Sequence, residues 1–282
     1  MTVTTPALVT DQVQVSTSGP IVFSNLQFEA EQQIVALTDG TMLVVYRVDG
    51  GIFFQQVDSL GTPIGAEGQF STPDYLTNGD FDVLAVENGN VVLAFEGTNA
   101  LTKTVTVQSF SIEDGVASAT TDVSTVFEPE VGNPGTVGSF HQVSLAGSST
   151  EDVVLQTLNS DIDGIQKLTL FTDLDSAAPP SFDTPVPFNP QRSTLDSAIL
   201  EDGNIVTTVV SFGEGGTSRR FIDFFITAPD GTPVTSGQSR VTDSTNVSES
   251  AVIALADGGF AVSFSGGDGN DIDTFTRAFD AD

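Results

Sequence analysis

A hairpin that recurs at a near-constant interval constrains this chain more than any other feature. Its copies are IVALTDGTMLVVY (34–46), VLAVENGNVVLAF (83–95), AILEDGNIVTTVV (198–210) and VIALADGGFAVSF (252–264). Each is a β-rich run, an Asp-Gly or Asn-Gly turn (Gly258 follows Asp257 in the last copy), and a second β-rich run. Asn-Gly and Asp-Gly tolerate positive φ at both central positions, as the tightest hairpin turns require. Successive turn residues Asp39, Asn88, Asp202 and Asp257 stand 49, 114 and 55 residues apart. The long interval holds two periods. A degraded copy, VSLAGSSTEDVVLQTL (143–158), fills it, with Gly147-Ser148 read as its turn. Such a period means a modular β architecture.

A second hairpin follows each first one: IFFQQVDSLGTPIG (52–65), VTVQSFSIEDGVAS (105–118) and RFIDFFITAPDGTPVT (220–235). Each unit thus holds four strands, the third rich in Phe. Runs such as LVVY and VVLAF are apolar at consecutive positions, which suits strands covered on both faces. No segment shows a helical apolar period. Four-stranded units repeated several times predict an all-β chain folded as a five-bladed β-propeller of antiparallel blades. The predicted blades span 20–72, 73–125, 126–188, 189–243 and 244–282, within one domain over 1–282. The last copy ends after its third strand. TPALVTDQVQVST (5–17) reads like the fourth strands GTPIGAEGQFST (61–72) and GTPVTSGQSRVT (231–242). Residues 1–19 are therefore expected to complete the last blade and close the ring, which removes open sheet edges.

Charge narrows the partners. Eight Lys plus Arg face 38 Asp plus Glu, for a formal charge of −30. Phosphate contacts need a basic surface, so nucleic acid is excluded as a partner, and an anionic membrane is disfavoured. The acidity suits a saline medium, where screening relieves self-repulsion. The absence of Cys excludes disulfides, thiolate catalysis and zinc–thiolate sites. The first residues lack a basic n-region and a long apolar core, so no classical signal peptide is read there, and no segment reaches the length of a membrane span.

The wording of residues 34–65, with Leu37, Asp39, Gly40, Ile52, Gln55, Asp58, Gly61, Pro63 and Gly65, resembles a β-propeller-like repeat of large secreted proteins from marine and soil proteobacteria. Those proteins often also carry RTX calcium repeats. Residues 252–282 resemble it next best, and the third copy departs most. The resemblance implies architecture only. The shared residues are turn and core residues, so no active site is carried over.

Individual residues speak less clearly. GGDGNDIDT (266–274) nearly matches a calcium nonapeptide but has Asp273 where a large apolar residue belongs. It reads first as an acidic hairpin loop. A Ca²⁺ site there, the one cofactor considered, would use Asp268, Asn270, Asp271 and Asp273. SDIDG (160–164) is its counterpart in the third unit. His141, the only histidine, is read as a surface or packing residue, and Arg219-Arg220 as partners of nearby Asp. Phe53, Phe54, Phe224 and Phe225 are expected between blades. Most aspartates stand in turns, which leaves Asp223 in RFIDFF as the acid in an apolar strand. The expected function is therefore non-enzymatic: an extracellular or virion-associated adhesion module, such as a phage structural protein, recognising a glycan or protein surface. Two alternatives stand beside it. One is a glycoside hydrolase with carboxylates at the propeller axis, since five-bladed propellers are known as glycosidases with three acids around the tunnel. The other is a calcium-stabilised domain of a secreted protein.

Overall fold

The computed structural model describes residues 32–48, 51–70, 80–86, 88–99, 102–113, 115–121, 124–127, 142–147, 153–159, 165–171, 181–185, 195–212, 220–234, 239–241, 247, 250–266 and 273–280. These residues are strands and turns, with no helix among them. The first sheet is β1 (Gln32–Ala36), β2 (Met42–Val48), β3 (Gly51–Val57) and β4 (Pro63–Gln69). The second is β5 (Phe81–Ala85), β6 (Val91–Asn99), β7 (Thr102–Glu113) and β8 (Val116–Ala119). A short β9 (Ser124–Phe127) continues along β7. The third is β10 (Gln142–Gly147), β11 (Val153–Asn159), β12 (Ile165–Phe171) and β13 (Ser181–Pro185). The fourth is β14 (Leu195–Ile199), β15 (Ile205–Phe212), β16 (Arg220–Thr227) and the two-residue β17 (Ser239–Arg240). The fifth has three described strands: β18 (Ser250–Ala254), β19 (Phe260–Gly266) and β20 (Asp273–Phe279). Every sheet is antiparallel, and consecutive strands pair within each sheet except that β9 skips β8 to pair with β7.

The turn chemistry is one residue longer than the Asp-Gly signal suggests. Ala36 pairs with Met42, the Leu37 N–H donates to the Thr41 carbonyl at 2.8 Å, and the Gly40 N–H donates to the Leu37 carbonyl at 3.1 Å. The loop Thr38–Gly40 is thus a turn followed by a glycine bulge, and Gly40 carries φ 85°. This needs the left-handed conformation at the glycine, and Asp39 serves instead through its side chain. Its Oδ1 accepts the Thr41 N–H at 2.9 Å, an Asx turn. The same bond recurs from Asn90 to Asn88, Asn204 to Asp202, Gly259 to Asp257 and Thr232 to Asp230.

In the third sheet the reading of Gly147 as a turn residue is corrected. It is the last residue of β10 and pairs with Val153. A Cβ there would stand 2.8 Å from Leu84 of the second sheet. Close approach between sheets explains the glycine better than a turn does.

The sheets pack face to face in chain order. Leu43, Ile52, Phe54 and Phe70 meet Phe81, Leu93, Phe95 and Phe110 between the first and second sheets. Val92, Ala94 and Val107 meet Val143, Val153 and Leu155 between the second and third. Ala146 and Val154 meet Ile205 between the third and fourth. Val206, Ile222 and Phe224 meet Val252, Phe260 and Val262 between the fourth and fifth. Phe54 and Phe224 lie in these layers as expected, while Phe53 and Phe225 are half-buried. The consecutive apolar runs are explained: odd and even residues of β6 serve two different cores. The first strands also touch in succession, β1 with β5, β5 with β10, β10 with β14, and β14 with β18. Successive face-packed sheets with their first strands innermost are a β-propeller. The expected closing strand, residues 1–19, lies outside the described residues.

Candidate active site at the inner strands

One position on the inner strands is built from polar side chains. It lies six residues before each turn residue: Gln33 before Asp39, Asp82 before Asn88, Asp196 before Asp202. In the fifth sheet the position holds Ala251. Ser144 occupies it in the third sheet, as the hydrogen bonds below show.

Each of these side chains reaches the inner strand of the following sheet. The Gln33 Oε1 accepts the Val83 N–H at 3.2 Å, and the Gln33 Nε2 donates to the Phe81 carbonyl at 3.1 Å. The Asp82 Oδ2 accepts the Leu145 N–H at 2.5 Å, and its Oδ1 accepts its neighbour Val83 N–H at 2.8 Å. Ser144 Oγ lies 2.9 Å from Ser197 Oγ. The Asp196 Oδ2 accepts the Val252 N–H at 2.6 Å, and its Oδ1 accepts the Ser197 N–H at 2.9 Å and the Ser144 hydroxyl at 3.4 Å. In each case a partner on the following strand is one residue beyond the equivalent position, and Gln33 also reaches the residue before it. Asp80 adds a bond of the same kind, its Oδ2 accepting the Val143 N–H at 3.0 Å.

Asp82 and Asp196 sit where inner strands converge, enclosed by protein yet not sealed from solvent. Burial pushes the Asp82 carboxyl up to about 7; the nearby Asp196 charge acts in the same direction, while the N–H of Leu145 and of Val83 and the Gln33 side chain pull it partly back. Burial likewise pushes Asp196 up to about 6, against hydrogen bonds from Val252, Ser197 and Ser144. Two electrostatically coupled carboxyls that titrate near neutrality can hold one proton and one negative charge together. That is the state required for general acid–base chemistry.

The residues singled out in the sequence lie elsewhere. Asp223 is fully buried in β16, with Val209 and Arg240 as its cross-strand neighbours, and is not on an inner strand. Arg220 opens β16 at the outer side of the same sheet. Asp273 opens β20. Asp268, Asn270, Asp271, Arg219, His141 and the 160–164 segment lie outside the described residues. No group of three or more His, Cys, Asp or Glu poised for a metal occurs among the described residues. Asp82 and Asp196 were legible only through their shared interval to the turn, since counting acids cannot separate them from the turn aspartates.

No protein-family model matches the chain, and no curated protein does. The resemblance to the RTX-associated repeat is therefore supported in its architecture alone. Solved structures do match. The chain is similar to an α-L-arabinanase of Penicillium chrysogenum complexed with arabinobiose, at 10% identity and TM-score 0.60, over 84% of this chain and 76% of that one. It is similar to an α-L-arabinofuranosidase of Fusarium graminearum in complex with an iminosugar inhibitor, at 11% identity and TM-score 0.60, over 89% and 80%. It is also similar to an endo-arabinase of Bacteroides thetaiotaomicron, at 13% identity and TM-score 0.51, over 89% and 93%. At these identities the shared property is the fold. The expectation of a non-enzymatic adhesion module is corrected accordingly. Several solved structures that share the fold across most of both chains are glycosidases by name, and Asp82 and Asp196 stand as enclosed acids on inner strands, where the sequence had pointed only to Asp223.

Proposed function

We propose that this protein is a glycoside hydrolase-type enzyme whose acid–base pair is Asp82 and Asp196. The observation that carries the reading is the recurrence of a carboxyl at one repeat position on two inner strands, with each carboxyl raised toward neutrality and the two coupled. Asp82, the more readily protonated, donates a proton to the glycosidic oxygen as the bond to the leaving group breaks. Asp196 stays ionised. It removes a proton from an attacking water or attacks the anomeric carbon itself, depending on the carboxyl separation in the complex. The substrate class follows from the named enzymes of the same fold: a furanosidic polysaccharide such as arabinan is the first to try. An extracellular site of action belongs to the same proposal, because polymeric glycans are met outside the cell. A reducing-end assay against arabinan and a panel of plant and algal polysaccharides tests it. Release of oligosaccharide that disappears in both Asp82→Asn and Asp196→Asn supports the assignment. Undiminished turnover in both variants, or no turnover on any substrate, sinks it.

The finer architecture is part of the same proposal: five blades, with residues 1–19 pairing along β20 to complete the fifth. One observation supports it: among the described residues β20 pairs with β19 alone. Deleting residues 1–17 should lower the melting temperature by 10 °C or more, a shift on the order of a few kcal/mol for a domain of this size. A truncated protein that melts with the parent removes the closure.

A further inference from the structure

We propose that Gln33 is a positioning residue for Asp82, holding the strand on both sides of that carboxyl. The inference rests on the acid–base reading of Asp82 and extends it to a residue of another sheet. Gln33 stands at the equivalent repeat position in the first sheet, but it bonds differently from its counterparts. Asp82 and Asp196 accept from the next sheet. Gln33 both donates and accepts there: its amide meets the carbonyl of Phe81 and the N–H of Val83, the two residues that flank Asp82. A planar amide filling both backbone groups acts as a one-residue strand partner. It fixes the peptide planes either side of Asp82, and so the direction of its Cα–Cβ bond. The Gln33 side chain also favours the ionised form of the Asp82 carboxyl. A carboxylate side chain at position 33 could accept from Val83 but could donate to neither Phe81 nor Asp82. A methionine could do neither.

Among the described residues the charged neighbours of Asp82 are Asp196 of β14, Asp80 two residues upstream, and Glu96 of β6, whose N–H is held by the Asp80 carbonyl. All are acids, so Gln33 joins the N–H groups of Leu145 and Val83 as a neutral group that favours the ionised carboxyl. Asp196 is held by Ser144, Ser197 and Val252 instead, without Gln33. The two aspartates should therefore respond differently to a change at position 33.

The test reads the carboxyl carbons of ¹³C-aspartate-labelled protein through a pH titration, with Asp82 and Asp196 assigned from their Asn variants. Gln33→Met should move the Asp82 midpoint upward by about one unit and leave Asp196 within a few tenths. Gln33→Glu should move it at least as far, because a like charge is added. Where Met at this site impairs folding, Gln33→Glu, which keeps the bond to Val83, supplies the measurement. Equal movement of both aspartates would mean general loosening of the axis and would overturn the assignment, as would an unmoved Asp82 in a variant with the parent's circular dichroism. The titration needs no substrate. Failure to find turnover therefore bears on the hydrolase reading, and an unmoved Asp82 bears on Gln33.

Discussion

Asp39 and Asp82 illustrate two populations of acid that composition cannot distinguish. Asp39, with Asp58 and Asp230, sits in an exposed turn where local N–H and hydroxyl donors favour the ionised form. Hydrogen bonds, first of all from Thr41 for Asp39, from Thr62 for Asp58 and from Thr232 for Asp230, hold these carboxyls below the ordinary range. Asp82 and Asp196 also accept backbone N–H groups, yet burial overrides those bonds and raises both. The difference teaches that hydrogen bonding alone does not set a carboxyl's chemistry. The decisive quantity is how much water is lost on folding.

The sharpest way to break the comparison is to remove one acid from each region. Asp82→Asn or Asp196→Asn should reduce polysaccharide hydrolysis by roughly 10²–10⁴-fold, the usual worth of a general acid or base, with a parental circular dichroism spectrum. Asp230→Asn should leave the rate within about twofold, since it changes a distant turn. Comparable losses from the two classes of variant would erase the distinction.

Next in size is the pH dependence of stability. The native carboxyls of Asp82 and Asp196 bind protons at pH values where the unfolded chain has released them. Their contribution is therefore fully present at low pH and is lost as pH rises from about 4 through about 7. The turn aspartates have the opposite sign: their contribution is present above the unfolded value near 3.8 and lost as pH falls below it. Denaturant melts should show stability falling by several kcal/mol between pH 4 and 7, and Asp82→Asn should flatten that slope. A slope unchanged in the variant would mean that the raised carboxyl lies elsewhere.

Smaller again is the turn itself. Gly40→Ala should cost about 1–2 kcal/mol, because φ 85° strains any L-residue, although nothing lies within 4 Å of the added Cβ. Gly40→Asn should cost less, as Asn visits the left-handed region more readily. Equal costs would point to a contact rather than to the backbone. Smallest is the response to salt. Raising it from 0.05 to 0.5 M should lower the turn carboxyls by a few tenths of a unit, because screening weakens the mutual repulsion in a chain of net charge −30, and should move the enclosed Asp82 less.

The Asp-Gly and Asn-Gly turns and Phe-rich third strands made the sheets legible in the sequence, since each depends on residues within one hairpin. Gly147 was misread because a glycine required by a neighbouring sheet looks like a turn glycine when only its own strand is considered. The adhesion reading failed for a related reason. The burial that raises Asp82 and Asp196 is made by distant strands, those of Leu145 and Val252, which lie 63 and 56 residues away in the chain. Their one visible mark, the six-residue interval to the turn, has meaning only once the inner strands are known to converge.

The polar bonds between inner strands bear on how the chain acquires its shape. In a linear stack of repeats each unit can settle beside its neighbour and wait. Here Asp82 and Asp196 meet the N–H groups of Leu145 and Val252 only when the succeeding sheet arrives, so a half-assembled molecule lacks bonds that the complete one has. Such wiring favours an all-or-none transition over stepwise accretion. It also gives natural selection a reason, independent of any reaction, to keep the copies in step after duplication.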